Sequence, residues 1–181
     1  MNKQELRVYV RMQKAQYKAE QLNAMSQTVV RRLLAHPRLR ASQTVLAYYS
    51  LDDEVNTHAL IDQLVAQGKR VLLPAVTSET EMELRCYEGA EDLQGGFFNI
   101  MEPVGALFSE YDKIETAIIP GVGFDSRNNR LGRGRGYYDR LLPRIPDTYK
   151  IGVCFPFQLL PGIPTEEHDC RMDEVMVADM L

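Results

Sequence analysis

Short apolar runs recur along the chain and are separated by amphipathic or polar segments. Five of them have the length and composition of buried strands, because they are β-prone and end at polar or turn residues. These runs are residues 44–50, 69–76, 114–125, 149–155 and 173–179. Residues 81–88 instead alternate apolar and polar positions, which is typical of a half-exposed strand.

Helical segments precede and separate these runs. Residues 3–25 are helix formers without Pro or Gly, which favours one long helix. A second helix is predicted to begin at the cap residue Ser26 and to end before Pro37. Thr57 is a candidate cap for a third helix, residues 58–67, which a glycine follows directly.

The order of the segments predicts the fold. Strand, helix and strand follow one another with short connections, so we expect a parallel sheet with right-handed crossovers. Residues 89–106 are rich in Gly and turn residues and predict a long surface loop. A last helix is expected after Gly136, with Tyr137 and Leu141 facing the sheet. The chain is therefore predicted to form a single three-layer α/β/α domain, residues 1–181, with a mostly parallel central sheet.

Composition and charge narrow the function classes. The 181 residues, 45% of them hydrophobic, suffice for one buried core. No apolar run is long enough to span a membrane, and the polar N-terminus excludes a secretory signal peptide. Three scattered cysteines without metal-ligand spacing indicate reduced thiols and a cytoplasmic protein. A net charge of −4 gives no general attraction to nucleic acid or membrane, so we expect small molecules as partners. We also expect a monomer.

Glycine and positive charge are concentrated in residues 129–142, NRLGRGRGYYDRLL. The segment follows a buried strand and opens a predicted helix, which is where open parallel sheets bind ligands. A helix N-terminus binds phosphate, glycines permit close approach, and Arg130, Arg133 and Arg135 offer forked hydrogen bonds to phosphate oxygens. The spacing matches neither a Walker A loop nor a dinucleotide fingerprint. The residues alone therefore leave open a phosphate cradle or a tight turn with solvated arginines.

Three further charged residues have two interpretations each. Asp139 lies one helical turn after Gly136, the last glycine of the glycine–arginine segment. A carboxylate there could hold Mg²⁺ or simply favour the helix N-terminus. Lys3 and Arg7 share one face of the first predicted helix, and on their own they indicate an ordinary solvated face. The histidines His36, His58 and His168 belong to no motif, and surface or capping roles are expected for them.

Six segments, in order, resemble the 5-formyltetrahydrofolate cyclo-ligase family, also called methenyltetrahydrofolate synthetases. The main one is PGVGFDSRNNRLGRGRGYYDRLL, residues 120–142. The others are KQELR, YYSLDDEVNT, GKRVLLP, FFNIMEP and EEHDCRMDEV, so the resemblance covers nearly the whole chain. One departure is Asn128, at a turn where family members often have Gly. Because Asn tolerates a left-handed backbone, we expect the turn to be kept.

The resemblance implies conversion of 5-formyltetrahydrofolate to 5,10-methenyltetrahydrofolate, with ATP as co-substrate and Mg²⁺ as cofactor. The implied ATP-binding residues are Lys3, Arg7, Arg130, Leu131, Gly132, Arg133, Gly134, Arg135, Gly136, Tyr137 and Tyr138. The implied folate-binding residues are Tyr49, Glu54, Arg133, Gly134, Arg135, Gly136 and Tyr137, of which Arg133, Arg135 and Tyr137 are the candidate catalytic residues. The implied metal ligands are Asp139 and Asp169. Loop residues Phe97, Phe98, Ile100 and Met101 are candidates for the wall of the pterin pocket.

Other function classes stay open on the sequence. A sugar-phosphate isomerase or an acyl-CoA transferase could share a layered α/β fold, but it would not need ATP and would need an acid–base pair or a glutamate nucleophile. A non-catalytic regulator that binds nucleotide or folate would not need the pair of metal ligands. RNA binding through the arginine segment is opposed by the acidic net charge and by the lack of an RNA-binding motif.

Overall fold

Helices and short strands alternate along the chain in a computed structural model that describes residues 1–96 and 100–181. The helices are α1 (Lys3–Lys14), α2 (Ala19–Leu34), α3 (Pro37–Ala41), α4 (His58–Ala66) and α5 (Tyr137–Leu141). The strands are β1 (Thr44–Leu46), β2 (Arg70–Val76), β3 (Met82–Tyr87), β4 (Leu93–Gly95), β5 (Met101–Pro103), β6 (Leu107–Phe108), β7 (Thr116–Ile119), β8 (Gly123–Asp125), β9 (Arg130–Leu131), β10 (Tyr149–Cys154), β11 (Leu159–Leu160) and β12 (Glu174–Val177). Within this part of the chain, no helix is both long and apolar enough to cross a membrane.

The central sheet joins seven strands in the order β12-β10-β7-β1-β2-β3-β6. The strands from β12 to β2 pair in parallel, whereas β3 pairs antiparallel with both β2 and β6. The chain passes from β1 to β2 on one side and later places β7 on the other side of β1. In open α/β sheets such a switch point is where ligands bind, outside the carboxyl ends of the strands. The predicted α/β class and mostly parallel sheet are confirmed.

The two faces of the sheet are covered differently. On one face, Val45 and Leu73 pack with Leu33 of α2 and Leu60 of α4. On the opposite face, Leu46, Leu72 and Ile119 pack with Phe124 of β8, with Leu141 of α5 and with Leu142 and Ile145 just after it. The second face therefore carries one short helix and irregular segments, so the predicted three-layer arrangement is not confirmed in this detail. That residues 1–181 form a single domain also stays a prediction.

The first two helices divide at residues 15–18, so the predicted boundary at Ser26 is wrong. Ser26 is buried within α2, where its hydroxyl donates to the Leu22 carbonyl at 2.8 Å, as serines inside helices often do. Tyr17 instead stacks on Phe157, with ring centroids 4.9 Å apart. The break therefore coincides with a contact to a distant segment, which local sequence signals do not reveal.

Two other segments also differ from their predictions. The expected loop, residues 89–106, contains a hairpin in which β4 pairs antiparallel with β5. The expected strand, residues 114–125, divides into β7 of the central sheet and β8 of a small sheet with β9 and β11. Helix α4 begins after Thr57 as predicted, but the Thr57 hydroxyl donates to the Tyr48 carbonyl instead of capping the helix.

Candidate functional site

A cavity of about 860 Å³ opens beyond the carboxyl ends of β1, β2 and β7, at the switch point of the sheet. Its volume is in the range typical of small-molecule sites. The positions implied by the family resemblance line it together: Lys3, Arg7, Tyr49, Glu54, residues 130–138, Asp139 and Asp169. Ile100 and Met101 line it too, whereas Phe97 and Phe98 lie outside the described residues. The fold thus brings the predicted residues to one place, and their individual roles stay predictions.

A tight turn between β8 and β9 aims the following arginine segment at the cavity. The buried carboxylate of Asp125 accepts four hydrogen bonds of 3.0 Å, from the backbone of Arg127, the backbone and amide of Asn129, and the backbone of Ile163. Burial raises the pKa of Asp125, but the hydrogen bonds, those of Asn129 first, outweigh it, so the pKa is lowered. Asn128 adopts φ 64°, which confirms the predicted left-handed turn.

Two residues of the glycine–arginine segment have backbone conformations that suit glycine. Gly134 and Gly136 have φ of 105° and 72°, which are strained for other residues. The Nε of Arg7 donates to the Gly132 carbonyl at 2.8 Å, so α1 anchors the segment. Helix α5 has only five residues. Any phosphate binding here would therefore depend on guanidinium and backbone N–H groups more than on a helix dipole.

Arg130 is a fixed charge on the wall of the cavity. Its Nε donates to the Pro120 carbonyl at 2.7 Å, just past β7, and its guanidinium lies 4.7 Å from the centroid of the Tyr138 ring. Burial lowers the pKa of Arg130. A Cβ at Gly132 would lie 2.9 Å from Nη1 of Arg130, so glycine at this position leaves room for the guanidinium.

Arg133 pairs with acidic residues in the structure. Its Nη2 lies 3.4 Å from Oδ1 of Asp53 and 3.6 Å from Oε2 of Glu54, and Lys14 holds the other Asp53 oxygen at 3.0 Å. Burial raises the pKa of Asp53, but Lys14 and Arg133 outweigh it and lower the pKa. At Glu54 burial dominates and raises the pKa, against the Leu51 N–H and Arg133. Asp53, which the sequence analysis did not single out, thus links α1 to the arginine segment.

The next residues of the segment reach the turn between β2 and β3. The Tyr137 hydroxyl donates to the Ser78 carbonyl at 2.9 Å, so the prediction that Tyr137 faces the sheet is wrong, whereas Leu141 is buried as predicted. Arg140, which the sequence analysis also missed, donates to the carbonyls of Thr80 and Arg135. The Arg135 side chain is exposed and has no ion pair among the described residues, which leaves its guanidinium available to a ligand.

Asp139 and Asp169 offer carboxylate oxygens to the same cavity. Asp139 is half-buried and accepts no hydrogen bond from the described residues, whereas Asp169 accepts from Lys3 at 3.3 Å and from the Glu166 N–H at 2.8 Å. Burial raises the pKa of the Cys170 thiol, and both carboxylates lie near enough to raise it further. Carboxylate oxygens that line the cavity fit the ligand preference of Mg²⁺.

Near Asp169 the structure gathers two residues that the sequence did not indicate. Glu166, His168 and Asp169 each offer an oxygen or nitrogen atom, and these atoms lie within 4.8 Å of one another. Glu166 and His168 are exposed, and His168 lies 3.1 Å from a Glu166 oxygen. Their spacing in the sequence matches no metal motif, so only the fold reveals the group.

Tyr49 and Glu54 form the wall that follows β1. Tyr49 stacks on His58, with centroids 3.8 Å apart and planes 15° from parallel, and Nε2 of His58 lies 2.8 Å from the Ser50 carbonyl oxygen. One Glu54 oxygen accepts the Leu51 N–H at 2.8 Å. The Tyr49 ring and the second Glu54 oxygen therefore have fixed positions beside the cavity. The apolar part of the lining continues through Pro74, Val76, Met82, Ile100, Met101 and Val104.

Comparison with known proteins identifies the family of the chain. The model of the 5-formyltetrahydrofolate cyclo-ligase family matches residues 1–178. The chain is 30% identical to the mouse 5-formyltetrahydrofolate cyclo-ligase, over 98% of this chain and 94% of the mouse protein. It is also 30% identical to the Escherichia coli K12 protein of the same name, over 92% of this chain and 95% of that protein.

A solved structure gives the same result. The NMR structure of Aquifex aeolicus 5,10-methenyltetrahydrofolate synthetase matches with a TM-score of 0.84 and 32% identity, over 98% of this chain and 90% of that one. Fold and sequence therefore agree over almost the full length of the chain, and the arginine segment and the acidic residues lie within the matched region. The protein belongs to the 5-formyltetrahydrofolate cyclo-ligase family.

Proposed function

We propose that the protein converts 5-formyltetrahydrofolate and ATP to 5,10-methenyltetrahydrofolate, ADP and phosphate, with Mg²⁺ as cofactor. The observation that carries this proposal is the single cavity that joins the arginine segment, Tyr49 with Glu54, and Asp139 with Asp169. Family membership makes the protein a ligase. The ATP requirement, the metal and the residue roles are our inference from the chemistry of the cavity.

The chemistry asks for positioning and charge neutralisation more than for a protein nucleophile. In the proposed reaction the formyl oxygen attacks the γ-phosphorus of ATP, and ADP leaves. N10 of the folate then attacks the activated formyl carbon and loses its proton to solvent, the ring closes, and the carbon–oxygen bond to phosphate breaks. Since the folate supplies the nucleophile, the side chains only need to hold the two substrates in line and exclude water.

The arginine segment suits the phosphate side of this reaction. Arg130 is locked in place, Arg135 is free among the described residues, and Arg133 would have to exchange Asp53 for a phosphate oxygen. A guanidinium can donate two parallel hydrogen bonds to phosphate. Arg133 and Arg135 would thus stabilise the charge that develops on the transferred phosphoryl group.

Glu54 suits the pterin side. A carboxylate can accept two N–H donors that lie side by side, as on the pyrimidine ring of a pterin. Tyr49, fixed by its stack on His58, offers a flat surface for the ring. Asp139 and Asp169 would hold Mg²⁺, which supplies neutralisation of phosphate charge when bound. Lys3, already paired with Asp169, would lie beside the same phosphates.

The direct test is turnover by the purified protein. With 5-formyltetrahydrofolate, Mg²⁺ and ATP, we expect a rise in the near-ultraviolet absorbance of the methenyl product, and no rise when ATP is omitted or when Mg²⁺ is chelated. Tight ATP binding without any rise would instead indicate a phosphate-handling enzyme for another substrate.

Glu54→Gln is expected to raise the KM for 5-formyltetrahydrofolate about tenfold, because one charge-assisted hydrogen bond to the pterin is lost. The KM for ATP should change less than about twofold, since the phosphates lie on other residues. Steady-state kinetics with each substrate varied in turn give both constants. A rise in the ATP constant alone would show that Glu54 does not bind folate.

Arg135→Gln should have the reverse pattern, with the KM for ATP raised about tenfold and the folate constant little changed. The reason is that Arg135 has no partner of its own among the described residues, so its removal takes charge from the ligand without loosening the protein. Arg31→Gln, an exposed arginine of α2 outside the cavity, is the matched control. Equal ATP kinetics in the two variants would remove Arg135 from the phosphate site.

A further inference from the structure

One wall of the cavity has a different character from the arginine segment. It is built from the ends of β2 and β3 and from β5, and most of its side chains are apolar. Among the described residues of this wall, Arg85 is the cation, and Glu83 and Glu102 are the acids. Glu102 lies in FFNIMEP, one of the segments that resemble the family's motifs. Arg85 and Glu83 lie in none of these segments. The proposed reaction leaves Arg85 without a role.

The sheet sets the distance between Arg85 and the phosphate side. Arg130 is bonded to Pro120 at the end of β7, Tyr49 and Glu54 follow β1, and Arg85 lies on β3. The strand order β7-β1-β2-β3 places β3 three strands from β7, which at 4.8 Å between neighbours is about 14 Å. Phosphate groups, pterin and Arg85 would therefore lie in sequence along the cavity.

Arg85 is oriented by two partners and keeps part of its hydrogen-bonding capacity. Its Nε and Nη2 donate to one oxygen of Glu83, with Nε at 2.9 Å, and its Nη1 donates to the Gly105 carbonyl at 3.1 Å. A guanidinium has five N–H donors, so one remains on each Nη atom, without a partner among the described residues. These two donors form the fork that binds a carboxylate bidentately. The side chain is about 30% exposed, so a ligand can reach it.

We propose that Arg85 is a specificity residue that binds the glutamate carboxylate of the folate substrate. A reduced folate carries its anionic glutamate at the end opposite the pterin, separated from it by a flat aminobenzoyl spacer. With the pterin at Tyr49 and Glu54, the spacer would lie along the apolar wall and the carboxylate would reach β3. This inference rests on the proposed function, since it takes a reduced folate to be the ligand.

Glu83 has an opposing effect in this arrangement. It neutralises Arg85 and holds the guanidinium in place, but its negative charge also repels an incoming carboxylate. Removing the charge of Glu83 should therefore strengthen folate binding, whereas removing the charge of Arg85 should weaken it. If the salt bridge between Arg85 and Glu83 only stabilised the fold, both substitutions would change folate binding in the same direction, by weakening it.

The test measures equilibrium binding, without ATP, of 5-formyltetrahydrofolate and of the unsubstituted amide of 5-formyltetrahydropteroic acid, which lacks the glutamate and carries no carboxylate in its place. Arg85→Gln should raise the Kd of the glutamate-bearing ligand about tenfold and that of the glutamate-free ligand by less than about twofold. Glu83→Gln should lower the Kd of the glutamate-bearing ligand about twofold to threefold and leave the Kd of the glutamate-free ligand unchanged. Arg32→Gln, an exposed arginine paired with Asp179 outside the cavity, should match the wild type with both ligands.

The outcomes separate this inference from the proposed reaction. If Arg85→Gln weakens the binding of both ligands equally, or of neither, Arg85 does not bind the glutamate carboxylate. This holds even if the wild type shows ATP-dependent turnover. If the tail-dependent difference appears but the wild type shows no ATP-dependent turnover, Arg85 stands as a folate contact and the proposed reaction fails. Melting temperatures of all variants show whether a change in Kd reflects loss of the folded protein.

Discussion

Asp139→Asn lowers kcat by about 100-fold or more in our expectation, while the KM for 5-formyltetrahydrofolate stays within about threefold. The Asp139 carboxylate lines the cavity and accepts no hydrogen bond from the described residues, so an amide of the same size should not disturb the fold. What the substitution removes is a negative oxygen ligand for Mg²⁺. The loss should therefore fall on the chemical step.

Kinetics at several Mg²⁺ concentrations test this prediction. The variant should need more Mg²⁺ for half-maximal rate, and calorimetry should show weaker binding of MgATP with unchanged folate binding. Asp147→Asn, at an exposed aspartate outside the cavity, is the matched control. Equal losses of kcat and folate affinity would contradict a metal role and point to general damage of the site.

Asp125→Ala has the largest expected effect on stability. We expect the free energy of unfolding to fall by about 3 kcal/mol, because three buried donors and one partly buried donor lose a charged acceptor at once. For a chain of this length that corresponds to a Tm lower by about 6–12 °C. Denaturant unfolding with Asp147→Ala as control measures the difference, and the control should stay within about 0.5 kcal/mol of the wild type. A similar loss of unfolding free energy in both variants would show that Asp125 stabilises the protein no more than an exposed aspartate does.

The same residue predicts a pH dependence of stability. Since the pKa of Asp125 is lowered in the folded protein, its contribution is present above the unfolded value of about 3.9 and is lost as the pH falls through the folded pKa. The stability difference between wild type and Asp125→Ala should therefore narrow at acid pH. A difference that stayed constant down to pH 2–3 would mean that the carboxylate charge does not stabilise the turn.

The sequence predicted those parts of the fold that depend on local patterns. Apolar runs located β1, β2, β7, β10 and β12, because buried parallel strands are apolar on both faces. It failed where distant contacts decide. Tyr17 leaves the helix to stack on Phe157, and Ser26, which has the residue type of a cap, is satisfied within α2. Strands of two or three residues, such as β9 and β11, are too short to show a period.

The site was predicted to a similar extent and for similar reasons. A contiguous segment, residues 130–138, and single motif positions such as Glu54 were found through the family resemblance. Asp53 and Arg85 were not, since each has a partner from a separate segment: Asp53 with Arg133 and Arg85 with Gly105. His168 lies two residues from its partner Glu166, but this spacing matches no metal motif. Tyr137 was found but assigned the wrong orientation, because five residues of α5 are too few for a helical period to predict which face is buried.

The contacts of the first helix, α1, determine when during synthesis the cavity can form. Arg7 bonds to Gly132, 125 positions later in the chain, and Lys3 pairs with Asp169, 166 positions later. During synthesis α1 must therefore wait until Gly132 and Asp169 have been made before this wall of the cavity can close. Chains fold from the N-terminus as they emerge, so a nascent chain could form β1 and β2 long before it could hold a nucleotide. Ligand binding would then distinguish chains that include Asp169 from shorter nascent chains.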